Sequence, residues 1–544
     1  MENLAEQVVK RYTALSSART NWRGIWEDCA RYCLPNAAPL KVLGSNTDGS
    51  RKRQPLDTVG VEAASKLASW LYANTIYQGE QWFSITAPKK EGEHSDIELE
   101  KFLQSTARKA LNALSRSNLI KRYQQFLLGY VVFGTDVLYS DFDSEGRLTF
   151  RQWKITEDIA ICENNAGEID TVYRRFQFTA RQAVQEFGEE NLSANIRKSA
   201  NEASDQDKKF TFIHAVYPRL SRVKGKKTAD NKPFASVYVE VDKPHLVFEG
   251  GYDTFPYYVP RFFNTGEIYG RSAAMNAMPA LRAINIANYY FLKNVEFNAN
   301  PMVFIPAEMH DRVNIVPGAK NPKDAMDGKI DIWSPSGDMN APLEFAAKKS
   351  EEVKALFFND AFQYLEDRKN MTATEAQLRY EEMIQGITQI LANLHSELFE
   401  PLIRRTVLGL CEKGLVNVPP NYRKKGSKFP DFEVVYTTRL DTKIKGVLNA
   451  NILNTYRILG EIDAVRTNSP LAKRYLSEEE TVKLVCANNN TTADLMNDEE
   501  TINAIKEAEA AQAQQESMKG MVDKIDLQKT PEQGSMQDAM TQGM

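Results

Sequence analysis

The chain has 544 residues, is 42% hydrophobic and 26% charged, and carries a formal net charge of −4 with a pI near 6.0. Ordinary globular usage excludes a broadly disordered protein. The lack of a basic surplus excludes a protein whose main task is static, phosphate-driven DNA binding, though not a conduit through which DNA slides.

Residues 1–34 carry Val8, Tyr12, Leu15, Trp22, Ile25, Trp26 and Cys29 at helical spacings. The opening MENLAEQVVK has neither the basic start nor the apolar core of a signal peptide, and no apolar run reaches transmembrane length. Cys29 and Cys33 stand four apart with no second Cys/His pair nearby, so a buried helix face is favoured over a metal site. Pro35 and Pro39 close the helix. Residues 40–56 read as an exposed loop, and their basic run Arg51-Lys52-Arg53 as solvated rather than as a nucleic-acid contact. Helices follow near 57–77, 96–115 and 118–133, the last stopping at Gly134.

From 136 to 262 the pattern turns to β, with strands expected at Asp136–Phe142, Leu148–Trp153, Thr171–Phe178, Phe210–Tyr217 and Ser236–Val241. Asn164–Gly167 supplies turn chemistry. A helix is expected from Pro279, which suits a first turn, to Asn298, before Pro301. Short strands at Val303–Ile305 and Ile330–Trp333 follow, then a second helix over Ala346–Leu365. After a polar break the longest helix starts at Thr372, where Thr372 and Glu375 have capping-box spacing. Met383, Ile387, Ile390, Leu391, Leu394, Leu398, Leu402 and Ile403 continue it to Lys413-Gly414, roughly 60 Å in all, with Pro401 expected to kink it. Residues 429–440 read as a strand, and 446–466 and 476–488 as helices. From about 507 the chain is Ala/Gln/Met/Glu-rich and cannot support a core.

Catalytic chemistry does not assemble from these residues. His94, His214, His245, His310 and His395 lack metal-ligand spacing and read as surface or packed residues. Gly225-Lys226-Lys227-Thr228 has a Lys where a phosphate loop needs Ser/Thr and lacks the upstream Gly. No GxSxG elbow occurs, although a carboxylate dyad stays open. The five cysteines, Cys162, Cys411 and Cys486 included, form no disulfide framework, which fits a reducing cytoplasm. No cofactor is expected.

Two segments go further. Pro256–Pro301 reads PYYVPRFFNTGEIYGRSAAMNAMPALRAINIANYYFLKNVEFNANP, and Met371–Arg405 reads MTATEAQLRYEEMIQGITQILANLHSELFEPLIRR. Together they resemble the portal, or head-to-tail connector, proteins of short-tailed bacteriophages. The resemblance rests on Gly266, Glu267, Tyr269, Gly270, Arg271 and Ser272 in the first segment. In the second it rests on Met371–Glu375 with Ser396, Glu397, Leu398, Pro401, Leu402, Ile403 and Arg405. Trp26–Pro35 matches more loosely.

The resemblance implies an α+β, multi-domain portal fold and no enzyme. Residues 1–265 would form the wing, 266–300 the first stem helix, 301–344 a small β clip and 345–365 the second stem helix. Residues 366–371 would be a tunnel loop, 372–469 the long kinked helix and the rest of the wing, 470–510 a helical crown and 511–544 a disordered tail. Arg368, Lys369, Asn370 and Met371 would face DNA. The expected partners are further copies in a dodecameric ring, double-stranded DNA in the channel, the terminase motor, tail adaptors, and capsid and scaffolding proteins, with no membrane. The protein would be made in the host cytoplasm and reside at one capsid vertex of the virion, serving DNA packaging and ejection. The alternatives are another phage structural adaptor or, further off, a metal-dependent nucleic-acid enzyme.

Overall fold

The first helix, α1 (Leu4–Cys33), serves two cores. Its N-terminal half lays Ala5, Val8 and Tyr12 against Ile213, Ala215, Val237 and Val239 of a sheet. Its C-terminal half buries Trp26, Cys29, Ala30 and Cys33 in the main core. Between them Arg19 is buried, and it reaches Asp158 Oδ1 at 3.3 Å and the Ile155 carbonyl at 2.9 Å. Burial pushes the Cys29 thiol up to about 12, so this cysteine packs as a small apolar group.

The computed structural model describes residues 3–37, 40, 55–76, 81–88, 97–143, 145–222, 228–299, 302–304, 331–333, 340–359, 386–422 and 429–438. Further on it describes 449, 452–462 and a few more residues. The chain divides into two units, Met1–Asp441 and Thr442–Met544. In the second, residues 452–462 are helical, and Tyr456 Oη lies 2.9 Å from Thr481 Oγ1.

In the first unit α1 is followed by α2 (Val59–Asn74), β1 (Phe83–Thr86), α3 (Ile97–Arg116) and α4 (Leu119–Phe133). Tyr123, Phe126 and Tyr130 lie on one side of α4 because they are three and four residues apart, and their rings stack at 6.1 and 5.7 Å. Gly134 ends α4 at φ +77°, as expected of a C-terminal glycine.

The β region holds β2 (Val137–Phe142), β3 (Leu148–Trp153), β4 (Ile159–Glu163), β5 (Ile169–Thr179), β6 (Lys209–Pro218), β7 (Phe234–Glu240), β8 (His245–Tyr252) and β9 (Tyr257–Tyr258). β4-β5-β6-β7-β8 form one antiparallel sheet and β3-β2-β9 another. Helices and antiparallel sheets alternate in blocks, which makes the fold α+β. α1 covers one face of the larger sheet. On the other face α5 (Ala180–Phe187) and α6 (Ala194–Asn201) pack on Phe176, Phe210 and Phe212. Thr179 and Gln182 open α5 with a reciprocal capping box.

The same face meets the smaller sheet through a polar aromatic seam. Register aligns Arg174, His214, Tyr238 and Phe248 across four strands. His214 Nδ1 lies 2.8 Å from Tyr257 Oη and its Nε2 3.0 Å from Ser236 Oγ. Burial, with the nearby charges of Arg174 and Arg151, pulls the His214 pKa down to about 3. The unfolded chain therefore takes up a proton below about pH 6.5 that the folded chain refuses. Stability should be full above that pH and fall as pH drops toward 3, by about 2 kcal/mol at pH 5. Unfolding midpoints at pH 7.5 and 5 should draw together in His214→Gln; an undiminished gap would count against this assignment.

Helix α7 runs Ala273–Ala299, so it begins at Ala273 and not at Pro279. The reason is a cap the proline obscured: Ser272 Oγ accepts from Met275 N at 3.0 Å. Pro279 sits exposed inside the helix. β10 (Met302–Phe304) pairs with β11 (Asp331–Trp333). The second helix, α8 (Ala341–Leu356), also starts earlier than expected and is interrupted after Leu356, while residues 360–365 of the expected span lie outside the described residues. Pro342 fits its first turn, and Phe358, at φ +59°, cannot continue it.

The long helix, α9, is described from residue 386 to Glu412, and its end at Lys413-Gly414 agrees with expectation. Of the expected strand at 429–440, the described residues are regular over β12 (Glu433–Tyr436), paired with β1. Among the described residues no helix is long and apolar enough to cross a membrane.

Candidate functional site

The first motif segment folds into a tight loop at the head of α7. Phe263 and Arg271 exchange backbone hydrogen bonds, both at 3.0 Å. Gly266 turns the loop at φ +81°, and its N–H donates to Asn264 Oδ1. Arg271 grips Glu267 with both arms of its fork, at 2.6 and 2.8 Å. Hydrogen bonding from Arg271 lowers the Glu267 pKa. The Arg271 guanidinium also lies 4.8 Å from the Trp22 ring centre. Tyr269 is buried against Trp22 and Trp26, at 5.6 and 5.2 Å between ring centres. The loop is thereby pinned to α1.

Gly270 and Gly134 lie back to back. Gly270 N–H donates to Thr135 Oγ1 at 2.8 Å. A Cβ at Gly270 would sit 2.5 Å from the Gly134 carbonyl oxygen, and one at Gly134 2.2 Å from the Gly270 oxygen. Backbone on both sides cannot yield as a side-chain tip can. Gly270→Ala should therefore destabilise by about 3 kcal/mol or block folding. Soluble yield and melting temperature test this; a variant melting within a degree of the parent would refute it.

The second motif segment docks on the first through Arg261. Glu397 accepts from the Arg261 backbone N–H at 2.7 Å and from its Nε at 2.9 Å. Arg261 also reaches Glu163 Oε2 at 3.1 Å and the Gly167 carbonyl at 2.7 Å. Asn393 Nδ2 donates to the Arg261 and Phe262 carbonyls at 3.1 and 3.3 Å. One turn past Pro401, buried Arg405 donates to Ser140 Oγ, to the Ser140 carbonyl, and to both Thr254 oxygens.

Glu397 reaches this position from a π turn, His395–Phe399, closed by Glu400 N–H to the His395 carbonyl. In an α-helix the Pro401 ring would press on the carbonyl of Glu397; one wider turn relieves that contact, and such turns mark functional segments of helices. Tyr436 holds the turn from outside, its ring 3.8 Å from that of His395 and its hydroxyl donating to the His395 carbonyl at 3.1 Å. The arrangement is mechanical: it ties α9, the β4–β5 turn and the loop feeding α7 into one body.

The model of the family described as bacteriophage head to tail connecting protein matches residues 5–492. The chain belongs to that family. It is 28% identical over 431 residues to the "Probable portal protein" of Bordetella phage BPP-1, covering 76% of each chain. It is 22% identical over 528 residues to the "Portal protein" of Salmonella phage epsilon15, covering 94% of this chain and 92% of the relative. Among solved structures, a chain of the "Virion of native gene transfer agent (GTA) particle" aligns at a TM-score of 0.34 and 12% identity, over 79% of this chain and 89% of that one.

In this connector Gly266, Glu267, Tyr269, Gly270, Arg271 and Ser272 come together in one loop, and Glu397, Pro401 and Arg405 share the clasp beside it. Arg368, Lys369, Asn370, Met371, Thr372 and Glu375 lie outside the described residues. Sequence reading gave Arg261 and Asn393 no role. The available signal was a lone charge in the apolar run Tyr257–Phe263, since a charge buried there needs a partner.

Proposed function

We propose that this connector is the portal of its phage: a ring of copies, a dodecamer by family likeness, at one capsid vertex. DNA enters the head through it during packaging and leaves through it on ejection. The observation that carries the reading is the uncovered half of α7. Up to Ala287 the helix buries Ala273, Ala274, Ala277, Met278, Ala280, Leu281 and Ile284. Beyond that point no described residue is buried, yet Tyr289, Tyr290, Leu292 and Val295 are apolar and exposed. On α8, which packs along α7, Leu343 and Phe345 are exposed as well. A monomer would leave this stripe in water, whereas neighbours in a ring would cover it.

In this reading α7 and α8 are the stem and the residues between them the clip, expected at 301–344 but shortened by α8, which already begins at Ala341; the clip docks the terminase motor and later the tail adaptors. Residues 366–371 are the tunnel loop, with Arg368 and Lys369 touching phosphates one at a time. The wing, crown and tail boundaries given above complete the proposal, with capsid and scaffolding proteins around the ring. The test is genetic: phage lacking this chain should assemble heads that hold no DNA, and a plasmid copy should restore filling. DNA-filled heads without the chain would overturn the assignment and favour a tail adaptor.

A further inference from the structure

At the mouth of the seam between the two sheets stand two arginines from opposite sides. Arg151, on β3, pairs across the strand with Tyr139 and shares its face with Trp153, two residues on. Arg174, on β5 of the larger, facing sheet, pairs with His214 on the neighbouring strand β6. The Arg174 guanidinium lies 3.9 Å from the Trp153 ring centre and 4.4 Å from that of Phe176. Two rings thus crowd the guanidinium and offer its N–H groups no acceptor oxygen.

Those N–H groups are not engaged by the protein. Among the described residues no carboxylate lies within ion-pair distance of Arg151 or Arg174, and neither donates a hydrogen bond to the chain. The arginines around them behave differently: Arg19 and Arg175 share Asp158, and Arg261 takes Glu163 and Glu397. Burial, reinforced by the like charge of Arg151, pulls the Arg174 pKa below its ordinary value. The carboxylate felt there, Glu157, stays beyond ion-pair distance, so the partly buried Arg174 guanidinium keeps room for an acceptor from outside the chain.

We propose that Arg151 and Arg174 form a receptor for a single carboxylate side chain presented by an acidic peptide segment of a partner protein. A planar guanidinium fork matches a carboxylate geometrically. The rim suits an apolar residue beside that carboxylate: Tyr238 stacks on His214 at 4.0 Å, and Phe248, 6.1 Å further on, is 50% exposed. A nucleic-acid strand fits less well. It would bring a row of phosphates, and beyond the two arginines the row would meet Glu157 near Arg174 and Glu186 near Tyr238, whereas one carboxylate needs only the two cations.

The test uses the full-length protein and a dye-labelled probe peptide, acetyl-Gly-Phe-Glu-Phe-Gly-amide, followed by fluorescence anisotropy. The Glu probe should bind about tenfold more tightly than its Gln counterpart. Arg151→Gln, an exposed position, should remove about the same factor without changing the melting temperature. Arg174→Lys, which keeps the charge but loses the fork, should also weaken binding. Equal binding of the two probes, no binding of either, or full binding by Arg151→Gln would overturn the proposal. So would displacement of the Glu probe by a single-stranded oligonucleotide at lower concentration than by unlabelled peptide, which would make the patch a nucleic-acid surface.

Discussion

Replacing Tyr289 and Leu292 together by lysine should leave each chain folded and reduce the proposed ring to monomers. The two side chains are 50% and 52% exposed and lie beyond the last buried residue of α7, so the chain's own core does not depend on them. Covering the remaining surface of each by a neighbour is worth about 1 kcal/mol. Lysine removes that gain and adds a charge that must be desolvated at every interface, a further cost of a few kcal/mol each. A ring repeats the loss at every contact, so assembly should weaken by at least about a thousandfold. Light scattering would show monomers with an unchanged circular-dichroism melt. Intact particles would place the subunit contact elsewhere; loss of the melt would mean the stripe packs within the chain.

Glu397→Ala should be among the most damaging single substitutions outside the apolar core. The Arg261 side chain is 4% exposed and that of Glu397 22%, so truncation strands a nearly buried guanidinium with only Glu163 and a carbonyl. Breaking such a pair costs about 3 kcal/mol. Removing both charges, as Arg261→Met with Glu397→Met, should cost clearly less than the sum of the single changes, because no orphan charge remains. Denaturant midpoints of the four proteins form the cycle. Strict additivity, or a Glu397→Ala change under about 0.5 kcal/mol, would show that the clasp contributes little.

The parts legible in sequence were those governed by local chemistry. The helix expected near 118–133 is α4, with Gly134 at its end, and Asn164–Gly167 marked the β4–β5 turn. β8 escaped because Gly250 and Gly251 weaken a strand pattern. A Cβ at Gly251 would lie 2.7 Å from the Ala229 and Phe234 carbonyl oxygens, so the glycine answers a tertiary need that no local pattern shows. Pro279 misled for a related reason: a proline that suits a first turn competed with Ser272, whose capping role depends on where the chain enters α7. In the candidate site, the motif residues were visible as a group, but their purpose was not. Arg261 and Glu397 are distant in sequence and meet only once α9 lies across the β4–β5 turn, and the π turn that aims Glu397 answers to Pro401 four residues later.

The proposed closed ring around a channel can be seen directly. Native mass spectrometry of the purified full-length chain, with images of the same sample averaged without imposed symmetry, addresses it directly. The expected result is a discrete species many times the 61.6 kDa chain mass, seen end-on as a closed ring with an axial opening. A single 61.6 kDa species at every protein and salt concentration, or open filaments with no channel, would contradict it.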